Sequence, residues 1–266
     1  MQMRFRSLSD FVDSLQARGR YTFARDEAGK ALGGSDLALK RAIERLSKKR
    51  RIIMVGKKFY VIVPLEYQAS GILPATWFIE DFMKFVGRPY YVGLLSAAAI
   101  HGAAHQQPQE FQVITKQPKR DIEAAGLKIR FFMKSRMEQT PFVRVKTETG
   151  YIRVSSPGAT AIDLVRYEAR IGGIHRTVTV LQELAESIKG KELLEAAKLE
   201  GKLAYVQRLG YLLEKIGRGD IVSPLARWIA TRQPIVIPLK PAFPRKGFPR
   251  DRQWNIIKNI EIEGEL

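Results

Sequence analysis

Cysteine is absent from the 266 residues. That excludes disulfides, thiolate nucleophiles and cysteine-ligated zinc, and it fits a reducing compartment. Histidine is scarce, with only His101, His105 and His175. No stretch approaches the ~18 consecutive apolar residues of a membrane span. The opening run MQMRFRSLSDFVDSL carries charge where a signal peptide needs its apolar core. A cytoplasmic protein with no membrane contact is therefore expected. Nucleotide-cradling motifs are missing too: there is no GxGxxG, no P-loop and no GxSxG elbow. The run HGAAH from His101 to His105 lacks the acidic residue of a zinc-binding HExxH, and Gly102 interrupts it. It reads as a helix end turning into a loop. Asp163, three residues before Arg166, reads as half of a helix-surface ion pair. No catalytic residue, metal ligand or cofactor is assigned, and no enzyme is expected.

Acidic residues are also few. They number 27 against 45 Lys and Arg, a formal net charge of +18. Such an excess favours an anionic partner: nucleic acid, anionic lipid or an acidic protein. It is unevenly spread. Residues 1–65 hold 15 basic and 6 acidic residues, a net of +9, so a quarter of the chain carries half the excess. The N-terminal piece is marked as the polyanion contact. At 45% apolar residues, the chain can bury a sizeable core in one large domain or two ordinary ones.

Along residues 1–65 the periodicities predict a helix over 7–15, another over 25–32, and a Gly33-Gly34 turn. Ser35 then caps a third helix over 35–49. Two β-rich runs, 52–55 and 59–63, flank Gly56-Lys57-Lys58 as a hairpin. Helix, helix, turn, helix, hairpin is the layout of a winged helix-turn-helix. In the third helix, Leu39, Ala42, Ile43 and Leu46 share one face, while Leu37, Lys40, Arg41, Glu44 and Lys48 share the other, with Arg45 at its margin. That face suits a major groove. Ser35 and the helix N-terminus suit a phosphate, and the Lys57-Lys58 tip suits the DNA backbone or minor groove. An ordinary amphipathic helix with a solvated charged face would share this pattern; the hairpin, the Gly-Gly turn and the local charge favour double-stranded DNA.

Residues 66–74, between Pro64 and Pro74 with Gly71 inside, read as a linker. Residues 75–266 read as a second, mixed α+β domain. Helices are expected over 77–86, 91–101, 157–167, 174–188, 191–200 and 203–216, with a short one capped by Ser223. Strands are expected over 111–115, 128–133, 143–147, 151–154, 235–239 and 255–262. Gly210 reads as a close-packing position. The loop 240–252 interleaves five basic residues with Phe243 and Phe248, which suits nucleic acid but also suits a plain surface loop.

Four segments resemble the AbiEi antitoxin family: YYVGLLSAAAIHGAAHQQPQEFQVIT at 90–115, VSSPGATAIDLVRY at 154–167 followed by Gly172-Gly173, QRLGYLLEKIG at 207–217, and WNIIKNIEIE at 254–263. The resemblance implies an antitoxin of type IV abortive-infection systems. Its N-terminal winged helix would repress its own operon, and its C-terminal domain would antagonise a nucleotidyltransferase-type toxin. It carries over no catalytic residue. Two other classes remain in view. One is a winged-helix regulator with a small-molecule-sensing C-terminal domain. The other is a nucleic-acid-processing enzyme, for which an acidic or histidine cluster is lacking.

Overall fold

The computed structural model describes residues 4–103 and 108–262. Helix α1 (Leu8–Gln16) is capped by the Ser7 hydroxyl, which accepts from the Asp10 amide. After β1 (Thr22–Ala24), α2 (Arg25–Leu32) ends at Gly33 in the left-handed region, φ 64°. There glycine carries no Cβ penalty. Helix α3 (Asp36–Lys48) starts at Ser35, whose Oγ accepts from the Ala38 amide. Strands β2 (Ile52–Met54) and β3 (Phe59–Ile62) form the hairpin, and β1 joins β3 to give the order β1-β3-β2. The sequence offered no strand at 22–24. Three residues are too few to show alternation, and pairing with β3 decides their conformation.

Helix α4 (Ile79–Val86) leads into β4 (Tyr90–Val92), and α5 (Leu94–Ile100) follows at Gly93. The expected helix over 91–101 therefore begins three residues late: Tyr91 lies in a strand that pairs with β5 (Phe111–Thr115). Next come β6 (Ile122–Ala124), β7 (Leu127–Met133), β8 (Phe142–Thr147) and β9 (Gly150–Ser155). Together they build a mixed six-stranded sheet in the order β6-β7-β5-β4-β9-β8. Helices α6 (Pro157–Arg166), α7 (Gly173–Leu184), α8 (Gly190–Glu200), α9 (Leu203–Lys215) and α10 (Gly219–Ala230) follow. Ser223 does not cap the last of these. It lies one turn inside, its hydroxyl donating to the Gly219 carbonyl, and Pro224 sits within the helix. A small closing sheet joins β10 (Ile237–Pro238), β11 (Arg250–Asp251) and β12 (Ile256–Ile257) in the order β10-β12-β11. The expected closing strands shrink to two residues each. The fold class is α+β. Among the described residues, no helix is long and apolar enough to cross a membrane.

Three apolar clusters order these elements into layers. The first joins α1–α3 to one face of the small N-terminal sheet through Phe11, Phe23, Ile43, Tyr60 and Ile62. The second lies on that sheet's other face. It takes Val55, Phe59 and Val61 from the hairpin, Ile72 and Leu73 from the connecting segment, Phe78, Phe82 and Met83 around α4, and Val92, Val113, Phe131 and Val154 from the large sheet. The third packs α5–α10 against the large sheet's opposite face. Strand β3 is buried on both sides, alternate residues serving different clusters. Segment 66–74 is a packed connection, with Ile72 and Leu73 buried.

Asp163 does not sit on a helix surface. It is fully buried, with Oδ1 2.8 Å from Lys134 Nζ and Oδ2 accepting from the Tyr91 hydroxyl at 2.7 Å. Lys134 also meets Glu200 at 2.8 Å, and Glu200 meets Arg166 at 2.7 Å. Burial raises the Asp163 pKa, against the lowering effect of Lys134.

Candidate nucleic-acid interface

Helix α3 buries Leu39, Ile43 and Leu46, while Ala42 is half-buried at the edge of the same stripe. That stripe fixes the helix's rotation. Lys40, Arg41, Arg45 and Lys48 are consequently exposed, together with Glu44 and Leu37. None of the four cations has an ion-pair partner among the described residues. A row of cations without internal partners retains its full attraction for an external polyanion.

At the start of α3 the Ser35 hydroxyl accepts from the Ala38 amide, which leaves its own O–H to donate. Asp36 places a negative charge at the same helix end, where it suits the dipole but opposes a phosphate. Arg25 offsets it, with its guanidinium 2.7 Å from the Asp36 carboxylate. Arg25 also donates its backbone N–H to the Lys58 carbonyl at 2.9 Å. One residue thus ties the N-terminus of α3 to the hairpin tip. The sequence held a signal for it. A basic residue at the first position of α2 works against the helix dipole, so its charge serves another purpose.

The hairpin tip is less free than expected. Lys57 and Lys58 are both exposed, but Lys58 has a left-handed backbone, φ 63°, and its ammonium lies 3.8 Å from Asp26. Behind the tip, Gly56 leaves room for Phe82 of α4, whose ring would come within 2.8 Å of an added Cβ. The structure therefore links the start of α3 at Asp36, through Arg25, to the hairpin tip at Lys58, with Lys40, Arg41, Arg45 and Lys48 along the adjoining helix.

The other sequence candidates lie elsewhere. His101 ends α5, and its Nε2 sits 2.7 Å from the Ser155 carbonyl oxygen, while His105 lies outside the described residues. Among the described residues there is no group of His, Asp and Glu able to hold a metal ion. In the loop 240–252, Lys240 is drawn to Glu168 at 2.7 Å, and the Asn259 side chain holds the carbonyls of Lys240, Phe243 and Pro244. Phe243 and Phe248 remain exposed.

Comparisons with known proteins bear on the larger part of the chain. Residues 91–215 match the AbiEi antitoxin C-terminal domain. Among solved structures, the RV2827C protein from Mycobacterium tuberculosis superposes with a TM-score of 0.67 at 14% identity, over 97% of this chain and 92% of that one. An antigenic nucleotidyltransferase-like protein from Paracoccidioides brasiliensis reaches a TM-score of only 0.36 at 9% identity, over 55% of this chain and 88% of that one. No curated protein matches. The first structural likeness extends the fold, and the fold alone, beyond the matched domain. Residues 91–215, just under half of the chain, thus carry an AbiEi antitoxin C-terminal domain.

Proposed function

We propose that the chain is a DNA-binding antitoxin that represses its own toxin–antitoxin operon and neutralises a nucleotidyltransferase-type toxin in the cytoplasm. The observation that carries the reading is the pairing of an antitoxin domain at 91–215 with an N-terminal unit whose α3 presents Lys40, Arg41, Arg45 and Lys48, exposed and without an ion-pair partner among the described residues. On this reading α1–α3 with the β2–β3 hairpin is a winged helix-turn-helix, and α3 enters the major groove. Ser35 and Arg25 hold a phosphate at its N-terminus, and Lys57 meets the backbone beside it. On the same reading the C-terminal domain antagonises the toxin by binding rather than by turnover.

Two assays on the full chain test this. In mobility shifts, it should retard duplex DNA from upstream of its own gene more strongly than unrelated duplex. Co-expressed with the neighbouring nucleotidyltransferase gene, it should restore growth. Retardation without growth rescue would favour a simple regulator with a sensing domain. Rescue without retardation would leave the antitoxin and remove the repressor.

A further inference from the structure

The β8–β9 hairpin ends the large sheet, and β8 has no strand on its outer side among the described residues. One side of the hairpin is apolar: Ile152 and Val154 are buried, Val145 packs against the same cluster, and Val143 at its end is 39% exposed. The register fixes what lies on the other side. Phe142, Arg144 and Lys146 stand opposite Ser155, Arg153 and Tyr151. Phe142 and Tyr151 are 49% and 50% exposed, unusual for two large rings on neighbouring strands. The Arg144 guanidinium lies 5.1 Å from the Tyr151 ring centre, and that of Arg153 lies 5.9 Å from Phe142. Arg144 and Arg153 are themselves cross-strand partners. The result is a row of flat groups, Phe142, Arg153, Arg144, Tyr151, with Lys146 beside the last. None of the three cations has an ion-pair partner among the described residues, and Glu148 at the turn is the one acidic residue between 142 and 155.

We propose that this face of the hairpin binds single-stranded RNA. Aromatic rings and guanidinium planes are stacking surfaces for bases, and the cations between them meet the phosphates. Phe142 and Tyr151 lie four ladder steps apart, about 14 Å at ~3.4 Å per residue. That spacing takes one base on each ring and one over the arginine pair, close to the two or three bases stacked by the aromatics of the common RNA-binding sheet. The arrangement fits other partners less well. A duplex hides its base faces, so it would use the cations and leave the rings idle. At the core of a protein-binding face charged residues as a class are depleted; here three cations, Arg144, Lys146 and Arg153, accompany two rings. Unpaired bases with accessible faces are the ordinary state of RNA loops. The site is separate from α3 and does not depend on the reading of the N-terminal unit.

The test uses the full chain and a fluorescent, unstructured 12-nucleotide RNA, with single-stranded and duplex DNA of the same sequence as the other arms. Polarisation should show tighter binding to RNA than to single-stranded DNA. Replacing both rings, Phe142→Ala with Tyr151→Ala, should weaken RNA binding at least tenfold and leave duplex binding within twofold. The exchange Phe142→Tyr with Tyr151→Phe should restore RNA binding. Arg41→Ala with Arg45→Ala should lower duplex binding and spare RNA. The proposal is overturned if ring removal leaves RNA affinity unchanged, if it weakens duplex binding equally, or if single-stranded DNA binds as well as RNA. Should the ring variant fail to fold, photocrosslinking of the unaltered protein to 4-thiouridine RNA decides. Crosslinks within 142–155 support the site, and crosslinks confined to other peptides overturn it.

Discussion

Gly210 shows how far one residue can be read from sequence and where its partner hides. A glycine inside the helical run QRLGYLLEKIG suggests close approach, and the approaching group is Trp254, 44 positions away, whose ring would lie 2.1 Å from an added Cβ. The indole N–H donates to Glu214 one turn further along α9. Gly210→Ala must therefore displace a fully buried tryptophan, and a loss of about 1–3 kcal/mol is expected by urea denaturation, since overpacking disrupts the core. Asp163 was not legible in the same way. Its partners Lys134 and Tyr91 lie far off in sequence, so the helix pattern pointed to the near neighbour Arg166. Asp163→Ala should cost about 3–5 kcal/mol by stranding Lys134 beside Glu200 alone, while Asp163→Leu with Lys134→Met should recover part of that loss. Tyr167 gives a pH signature. Burial pushes its hydroxyl up to about 12, above its ordinary value near 10. With a raised folded pKa, its contribution is whole below pH 10 and is lost as pH climbs toward 12. Tyr167→Phe should flatten the fall in urea midpoint across that interval relative to the parent protein.

At the scale of elements, α3 was readable because its signals are local: Ser35 as cap, Asp36 in the first turn, and apolar residues at 39, 43 and 46. The hairpin's strands were readable too, and the lack of alternation in the second was a further signal. The run FYVIV, apolar without alternation, marks a strand covered on both faces, and β3 is such a strand. Its tip leans on Phe82 and Asp26, so the two tip lysines should differ. Lys57→Ala is expected to weaken duplex binding more than Lys58→Ala, because Lys58 already shares its charge with Asp26. Lys40→Ala and Arg41→Ala should instead reduce discrimination between operator and unrelated DNA, each by roughly 1–3 kcal/mol if a base contact is lost. Mobility shifts at several salt concentrations separate the effects: a lost phosphate contact lowers the log–log slope by about 0.9. Equal slopes for parent protein and Lys57→Ala would remove the tip from the interface.

For the molecule as a whole, the boundary at 66–74 has a mechanical consequence. Composition marks it as a linker, because proline and glycine punctuate it, yet burial of Ile72 and Leu73 is a long-range property that composition does not carry. The second apolar cluster runs through the boundary, and α4 lies between the small sheet and the large one. Thr22 Oγ1 donates to Asp81 at 2.7 Å across the same junction, and Phe59 meets Phe82 edge to face with ring centres 5.3 Å apart. A fragment 75–266 would uncover Phe78, Phe82 and Met83. At ~1.5–3 kcal/mol per large side chain left in water, it forfeits a large share of an ordinary domain's stability. It is expected to unfold at lower urea than the full chain and to bind a hydrophobic dye. Poor growth rescue by that fragment would then report on folding rather than on toxin recognition. Point variants test the two proposed functions without touching the core, because Arg41 and Arg45 are exposed. Full-length Arg41→Ala with Arg45→Ala should keep the parent urea midpoint, lose repression of an operon reporter, and still rescue growth when expressed from a foreign promoter. If rescue disappears while the urea midpoint holds, DNA binding and toxin neutralisation share the α3 surface, and the layered fold couples two activities rather than joining two independent parts.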